Sequence, residues 1–338
     1  MGEGQVIIEG YGVFQAGAFV REVPGRAHIE ASGRHRARFI HNMTTCEIKR
    51  LEAGSGNYGT TVDRAGKLVG QIFLDVEPEV IRIEVDALLR EAIVAHWLHH
   101  KVADMIRFQD VDALKVVNVV GEGSASLLDP LCEGRASSLE NHAWADTDVA
   151  GIACRLRRND DRLALMGFDL TLPAEDASKL LEALVAHGAS KASAEAFESW
   201  RVFQGVPADR IDMNGENIPL EAEHFMKALA WDKGCYIGQE VIARMHYRGK
   251  PNRHLRGLRI EGEAPKPGDV LNTLEGKEVG VVGSVTRDLD GGATIALGVV
   301  KRRFAESGTR LQTPSGASAE VVLLPFGKSP EGESSSSD

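Results

Sequence analysis

The strongest constraint on the fold is a change in the spacing of apolar residues near Leu255. Beyond this point short apolar runs alternate with glycines, at residues 258–260, 279–282, 294–300 and 321–324. Short strands at regular intervals, separated by turn residues, are typical of small β-barrels and sandwiches. The sequence therefore predicts a C-terminal β-barrel.

Before residue 250 the pattern alternates between strands and helices. Residues 81–85 and 114–120 predict strands, and residues 176–187 predict a helix that stops at Gly188. Asp86 is placed to cap another helix. That helix would bury one side, which carries Leu89, Ile93, Trp97 and Leu98. This mixture predicts an α+β fold rather than a strictly parallel α/β sheet.

The length of 338 residues exceeds what a single simple core usually holds. We place a boundary between residues 1–254 and a barrel at 255–326. Residues 327–338 are rich in Ser, Glu and Gly and bury too little apolar surface to order themselves, which predicts a flexible tail.

The net charge of −10 argues against a general nucleic-acid binder, which would need a basic face. Residues 233–259 depart from this average, because they hold seven basic residues and one acid, Glu240. The basic residues are Lys233, Arg244, Arg248, Lys250, Arg253, Arg256 and Arg259. Two interpretations stay open for this segment, a solvated face that balances acids elsewhere and a docking site for an anionic ligand.

No targeting or membrane segment is recognisable. No apolar run approaches the roughly 20 residues that a helix needs to cross a bilayer. The residues after Met1 lack the basic and apolar regions of a secretory signal. We therefore expect a cytoplasmic protein with no membrane partner.

No metal site is predicted. The four cysteines are widely spaced and form no C-x-x-C pair, which argues against a zinc site or a disulfide framework. They are Cys46, Cys132, Cys154 and Cys235. His96, His99 and His100 share one face of a predicted helix, and a solvated helix explains them without a metal.

The most informative segment is Lys-Gly-Cys-Tyr-Ile-Gly-Gln-Glu at residues 233–240. Gly234 and Gly238 bracket Cys235, which allows a tight turn and close approach of a ligand to the backbone. A helical pattern follows, so the cysteine lies at or just before a helix N-terminus, and Lys233 lies beside it. Both features would stabilise a thiolate. The alternative is a cysteine that serves as a small buried apolar side chain.

This segment resembles the signature of the folate-binding YgfZ-type branch of the glycine-cleavage T-protein superfamily, whose members act in iron–sulfur cluster assembly. Trp-Arg-Val-Phe-Gln-Gly-Val-Pro at 200–207 and Ile-Pro-Leu-Glu at 218–221 are similar to segments that precede the cysteine motif in this branch. Other similar segments are the barrel strands at 280–286 and 296–301 and Phe-Ile-His-Asn-Met-Thr-Thr at 39–45. The resemblance covers about residues 25–325.

The resemblance implies a cloverleaf of three domains around a central channel that accepts tetrahydrofolate or a related reduced folate. Residues 1–254 would hold two interleaved α+β domains that bind it. Aromatic rings would stack on the pterin, and arginines would hold the anionic glutamate tail. The candidate folate-binding residues are Tyr58, Arg201, Gln204, Trp231, Gln239, Glu240, Arg244 and Arg248.

The sequence departs from the transferases of the superfamily at two places. Their Gly-Gly-x-x-Asp-Asp loop, which supplies a carboxylate near the reacting folate nitrogen, corresponds to residues 66–71, where Gly70 and Gln71 replace both aspartates. Neither replacement can accept a proton at neutral pH. The transferases also carry a Glu after the Arg of an Arg-x-Glu segment, and here Gln204 is the available polar residue. Asp63 and Asp75 flank the altered loop and are either substitutes or ordinary surface acids.

The resemblance and its departures together predict an accessory protein rather than an active aminomethyltransferase. We expect it to bind a reduced folate and to serve iron–sulfur client enzymes, including those of tRNA modification. Cys235 and Lys233 would form the reactive pair and would contact a cluster, sulfur or a redox partner. The alternative is an aminomethyltransferase of the glycine cleavage system. Direct nucleic-acid binding is not expected.

Overall fold

Two structural units account for the chain, and they interleave along the sequence. The computed structural model describes residues 10–327. One unit takes the chain up to Ser193 and also Lys227–Val241, and the other takes Ala194–Met226 and the chain from Ile242 onward. The flexible tail predicted at residues 327–338 lies outside the described residues, apart from Gly327.

The first unit contains two sheets whose strands are mostly antiparallel. Its helices are α1 (Tyr11–Ala16), α2 (Arg36–Met43), α3 (Arg90–His99), α4 (Ser124–Leu128), α5 (Arg135–Ser138) and α6 (Ala174–Ala186). Its strands are β1 (Phe19–Glu22), β2 (Arg26–Ser32), β3 (Gly56–Val62), β4 (Leu68–Val76), β5 (Val80–Asp86), β6 (Arg107–Val111), β7 (Leu114–Val120), β8 (Trp144–Val149), β9 (Ile152–Arg158), β10 (Gly167–Pro173) and β11 (Ser190–Lys191). The strand orders are β11-β1-β7-β10-β9-β8 and β3-β4-β5-β2-β6.

The strand predicted at residues 81–85 is β5, and its apolar residues alternate into the core of the five-stranded sheet. The helix predicted after Asp86 is α3, where Ile93 and Trp97 are fully buried. Leu98 was expected on the same side, but 48% of it is exposed. The reason is geometric, because consecutive helical residues point about 100° apart and Leu98 directly follows the inward-facing Trp97.

The helix predicted at residues 176–187 is α6, and it covers the six-stranded sheet with Leu180 and Leu184. It begins after Pro173 and ends before Gly188, whose φ of +104° is unfavourable for other residues. The strand predicted at 114–120 is β7, with the same limits.

A buried ionic cluster joins the two sheets of the first unit. Arg157 on β9 donates to Glu84 on β5 at 2.7 Å and to Asp169 on β10 at 3.0 Å. Arg162 donates to the same two carboxylates at 2.6 and 2.8 Å. All four side chains are less than 10% exposed. Buried charges of this kind are stable only when paired, so the cluster fixes the register of one sheet against the other.

The second unit consists of a helix and a closed β-barrel. Its helix is α7 (Ala194–Gln204), and α8 (Gln239–Arg248) carries the chain from the first unit into the second. The barrel strands are β12 (Arg253–Glu261), β13 (Val270–Asn272), β14 (Glu278–Arg287), β15 (Thr294–Lys301), β16 (Arg310–Gln312) and β17 (Ser318–Val322). They close in the order β12-β15-β14-β13-β16-β17.

Both units also contain short 3₁₀ turns. These turns lie at Asp129–Leu131, Pro219–Glu221, Glu223–Ala228 and Arg302–Phe304.

The fold class predicted from the sequence, α+β with a C-terminal β-barrel, is confirmed. The barrel begins at Arg253, two residues ahead of the change in pattern at Leu255. Its interior holds the apolar residues of the predicted strands, among them Leu258, Val282 and Val321.

Candidate functional site

The segment 233–240 is anchored at its first residue to the last turn of α2 and to the residues that follow it. The ammonium group of Lys233 donates to the carbonyl oxygens of His41 at 2.7 Å, Thr44 at 2.7 Å and Cys46 at 2.6 Å. Lys233 is only 5% exposed. An ammonium group has three protons, so these three bonds satisfy it completely.

A second anchor lies at the end of the same turn. The backbone N–H of Ile237 donates to the carbonyl oxygen of Asn42 at 3.0 Å. Gly238 has a φ of +80°, and a Cβ there would lie 2.4 Å from the carbonyl oxygen of Asp63. Tyr236 is buried, and the Lys233 ammonium lies 5.0 Å from its ring centroid. Residues 234–236 therefore form a short loop held at both ends.

Cys235 lies within this loop and is exposed, whereas Cys46, Cys132 and Cys154 are buried. Burial raises the pKa of each of these three thiols, that of Cys154 to about 12. A neutral thiol in an apolar surrounding is chemically inert. Cys235 is consequently the cysteine that a reagent or partner can reach.

Lys233 was predicted to act beside the thiol, and the structure shows which partners its ammonium group has instead. Its ammonium group is enclosed by carbonyl oxygens of residues 41–46, where it holds the loop in place. The helix was expected to begin close to the cysteine, but α8 begins at Gln239, four residues beyond Cys235. Cys235 therefore belongs to the loop and not to the N-terminus of the helix.

Arg201 was predicted to hold folate, and the structure gives it another role. Its guanidinium group donates to Asp212 at 2.8 Å, to Ser284 Oγ at 2.6 Å and to the carbonyl oxygen of Val206 at 2.5 Å. Its Nε donates to Glu198 at 3.0 Å. With 9% exposure and these partners, Arg201 connects α7 to the barrel of its own unit and has no donor left for a ligand.

Tyr58 was predicted to stack on a pterin, but it lies in the core. The residue is 1% exposed, its ring stacks on Phe73 with centroids 4.9 Å apart, and its hydroxyl donates to Gln71 Oε1 at 2.7 Å. A ring covered in this way cannot receive a ligand. The sequence could not reveal the burial of Tyr58, because the same pattern of residues can surround an aromatic side chain in the core and one in a binding site.

The other predicted ligand residues keep some exposure. Gln204, Trp231 and Gln239 are half-buried, and Glu240, Arg244 and Arg248 are exposed. Glu240, Arg244 and Arg248 are spaced four residues apart on α8 and therefore share one face of that helix.

The hairpin that replaces the transferase aspartates has no carboxylate available for chemistry among its described residues. Gly70 and Gln71 lie in β4, and a Cβ at Gly70 would meet the side chain of Ile93 at 2.9 Å. Asp63 Oδ1 accepts from two backbone N–H groups of its own turn, at 2.8 and 2.9 Å. Asp75 accepts from Arg157 at 3.2 Å, and burial raises its pKa. Neither flanking aspartate replaces the missing pair.

Sequence reasoning missed His41 and Glu47. His41 is 2% exposed, and its Nδ1 lies 3.2 Å from Glu47 Oε1. Its Nε2 lies 3.7 Å from the position that a Cβ on Gly234 would occupy, so the ring faces the cysteine loop. Burial and the nearby charge of Lys233 lower the pKa of His41 to about 4, which leaves the imidazole neutral at pH 7. The only sequence signal was its place in the segment 39–45.

A concentration of positive charge also lies in the second unit, where β12 begins and β15 ends. Burial lowers the pKa of His254 to about 4, and the positive charges of Arg256, Arg302 and Lys250 contribute to the same shift. Arg302 is held there by a backbone bond from its N–H to the carbonyl oxygen of Asn252 at 2.8 Å. Two residues of the basic segment, Lys250 and Arg256, therefore lie near His254 together with Arg302.

Two features are absent from residues 10–327. No helix in this range is long and apolar enough to cross a membrane. In the same range no three side chains of His, Cys, Asp or Glu are grouped so that they could hold a metal ion.

Three curated relatives show the range of proteins to which this chain is similar. A putative chloroplastic transferase of Arabidopsis thaliana is 27% identical, over 94% of this chain and 73% of that protein. An aminomethyltransferase of Herpetosiphon aurantiacus is 26% identical, over 95% and 90%. A mitochondrial protein of Yarrowia lipolytica, named as a homologue of the iron–sulfur cluster assembly factor IBA57, is 22% identical, over 82% and 63%.

Among solved structures, the glycine cleavage system aminomethyltransferase T of Bartonella henselae matches with a TM-score of 0.79 and 18% identity. The match covers 93% of this chain and 87% of that one. It confirms the predicted T-protein-like fold. Residues 7–233, about two thirds of the chain, match the family model described as the GCVT N-terminal domain. The chain belongs to the GCVT-domain family, within the aminomethyltransferase superfamily.

Proposed function

We propose that this protein binds a reduced folate, such as tetrahydrofolate, and assists the assembly or maintenance of iron–sulfur enzymes through the thiol of Cys235. The observation that carries the proposal is the anchored loop, which exposes one cysteine between two fixed points. The motif at 233–240 resembles that of the YgfZ-type branch. Similarity to a protein named as an iron–sulfur cluster assembly factor also supports it.

The same relatives include aminomethyltransferases, so transfer of an aminomethyl group is the competing function. Transfer requires a group that handles a proton near the folate nitrogen. In the hairpin that would supply it, Gly70 packs against Ile93, and the neighbouring aspartates are occupied by the backbone and by Arg157. This arrangement favours the accessory role over the transferase.

The residues that fit a folate are fewer than the sequence indicated. Arg201 and Tyr58 do not fit, because their polar groups and faces are taken by the protein. In the first unit, Trp231 is a partly exposed ring on which a pterin could stack, and Gln239 can hydrogen-bond the pterin edge. In the second unit, Gln204 is half-buried and keeps the hydrogen-bonding role that the resemblance implies for it. On α8, Arg244 and Arg248 are suited to the carboxylates of the glutamate tail.

The thiol is tested by complementation. In cells that lack the native protein, the Cys235→Ala variant should be as abundant as wild type and should fail to restore the activity of iron–sulfur enzymes, including those of tRNA modification. Cys154→Ala is the matched control, because that thiol is buried and should not be needed. Full rescue by Cys235→Ala would remove the thiol from the function.

The folate is tested by titration of the purified protein with tetrahydrofolate. Trp231→Leu and Gln204→Ala should weaken binding, whereas exchange of the exposed Leu88 for alanine should not. If the wild-type protein does not bind tetrahydrofolate, the folate part of the proposal is wrong. Formation of methylene-tetrahydrofolate from an aminomethyl-lipoyl carrier would instead establish the transferase. Salt-sensitive tRNA binding through residues 244–259 would show a direct nucleic-acid role.

A further inference from the structure

A cavity lies between the polar faces of the two sheets of the first unit. Side chains alternate along a strand, so β5 turns Ile83 into the core of its own sheet and Glu84 to the other side, and β9 does the same with Leu156 and Arg157. The cavity between these faces has a volume of about 450 Å³, which is within the range of small-molecule sites. Of the described residues that line it, none is a candidate folate residue and none is Cys235.

The cavity has a buried floor and an open mouth. His28, Asp75 and Glu84 line the floor, and each is less than 10% exposed. Asp148 and Ala153 line the mouth, where they lie opposite each other on β8 and β9 and are exposed. A ligand that enters would therefore meet a carboxylate at each end.

The histidine at the floor has an unsatisfied nitrogen. His28 is 7% exposed, and among the described residues its Nε2 has no hydrogen-bond partner. Burial lowers the pKa of His28 to about 4, so the ring is neutral at pH 7 and brings no positive charge to the floor. Buried polar groups are normally hydrogen-bonded, and an exception that lines a cavity indicates that a bound molecule completes it.

A carboxylate oxygen at the floor also lacks full pairing. Asp75 Oδ1 accepts from Arg157 at 3.2 Å, whereas Oδ2 lies 3.6 Å from Arg155 Nη1, which is too far for a hydrogen bond. Arg155 is engaged elsewhere, because it donates to Glu77 at 2.7 Å and to Asp146 at 3.0 Å. Burial raises the pKa of Asp75, and a further cation beside it would favour its charged form.

The charges around the cavity do not balance. Within the described part of the chain, seven acidic side chains line the cavity or are ion-paired with its lining, namely Glu30, Asp75, Glu77, Glu84, Asp146, Asp148 and Asp169. Five basic side chains do so, namely Arg26, Arg82, Arg155, Arg157 and Arg162. With all of these groups ionised, the surplus is two negative charges, which attracts a cation of the opposite charge.

We propose that this cavity binds an aliphatic diamine, with one ammonium group on Asp75 at the floor and the other on Asp148 at the mouth. Two ammonium groups match the surplus charge, and each is a compact cation that carries three donors. The methylene chain is suited to the apolar part of the lining, which includes Leu114 and Pro173.

An organic cation fits this cavity better than a metal ion. Among residues 10–327 no three side chains of His, Cys, Asp or Glu are grouped so that they could hold a metal. The diamine site is also independent of the proposed function, because it uses neither the folate residues nor the thiol.

Calorimetric titration of the full-length protein with putrescine at low ionic strength tests the site. Putrescine should bind roughly two- to fivefold more tightly than butylamine, which has the same chain length and one ammonium group, because the pair at the mouth is exposed. In Asp148→Asn this advantage should disappear. Asp75→Asn should weaken putrescine binding by roughly 10- to 100-fold, since a buried hydrogen bond to a charged group is lost. Glu91→Gln is the control, because it removes one exposed negative charge on α3 outside the cavity.

Several results would overturn the site. These are the absence of saturable putrescine binding by wild type up to about 1 mM, unchanged binding in a folded Asp75→Asn variant, and an equal effect of Glu91→Gln and Asp148→Asn. Competition by Mg²⁺ at the same concentration as putrescine would assign the cavity to a metal ion instead. If Asp75→Asn fails to fold, Ala153→Tyr places a large ring at the exposed mouth and should abolish binding. Unchanged putrescine affinity in that variant would show that the amine binds elsewhere.

Discussion

Removal of the Lys233 ammonium group tests whether this residue holds the loop or acts on the thiol. In Lys233→Met a side chain of similar length fills the same space without donors. The carbonyl oxygens of His41, Thr44 and Cys46 then lose the three bonds of 2.6–2.7 Å that they now accept. Water has little access to replace them, because the lysine is 5% exposed.

The expected loss of stability follows from two opposing effects. Three buried acceptors without partners cost about 1–3 kcal/mol each. Against this, the methionine avoids the burial of a charge, which lowers the pKa of Lys233 from 10.5 to about 8 and corresponds to about 3 kcal/mol. With a middle value of about 2 kcal/mol for each acceptor, the difference is a loss of about 3 kcal/mol in the free energy of unfolding.

The assay is urea unfolding at pH 7, followed by circular dichroism and by labelling of the buried Cys46 with a thiol reagent. Cys46 reports on the first unit, since it becomes reactive only when that unit opens. Lys49→Met is the matched control, because Lys49 is exposed and its loss should change stability by no more than about 0.5 kcal/mol.

A loss below about 1 kcal/mol in Lys233→Met would refute the structural role. If the same variant instead slowed the alkylation of Cys235 in the folded protein by tenfold or more, with stability unchanged, the ammonium group would be acting on the thiol. Lys233 would then belong to the motif because it makes the Cys235 thiol reactive.

Two further predictions concern the first unit. Burial lowers the pKa of His28 to about 4, so the unfolded chain binds this proton from pH 6.5 downward and the folded chain only near pH 4. The free energy of unfolding should therefore fall by about 3 kcal/mol between pH 6.5 and pH 4. In His28→Gln this fall should be smaller. An equal fall in both proteins would contradict the reasoning. Gly238→Ala should cost at least about 1–3 kcal/mol, because φ is +80° and the new Cβ would lie 2.4 Å from the carbonyl oxygen of Asp63. Gly234→Ala meets nothing closer than 3.7 Å, and equal melting temperatures for the two variants would refute the argument.

Secondary structure was predictable wherever the apolar pattern was regular. The strand at 114–120 has the predicted limits, and α6 and β5 lie within two residues of theirs. Leu98 shows the limit of this reasoning, because membership of a helix does not fix which side a residue faces.

The candidate site was predictable only as a motif. The sequence indicated that residues 233–240 matter, and the structure shows why they hold together. It could not show that Lys233 bonds to residues almost 190 positions earlier in the chain, since that contact is made by the fold and leaves no periodic trace. His41 and Glu47 were missed for the same reason.

The sequence by itself determined the α+β class, the C-terminal barrel and the special status of the cysteine motif, because these depend on local spacing and on short segments. The tertiary structure alone decided which polar side chains are available. Arg201, Tyr58 and Lys233 looked like ligand or catalytic residues, but buried polar groups must find partners, and theirs belong to the protein. Cys235 is held between two anchors with its side chain toward solvent.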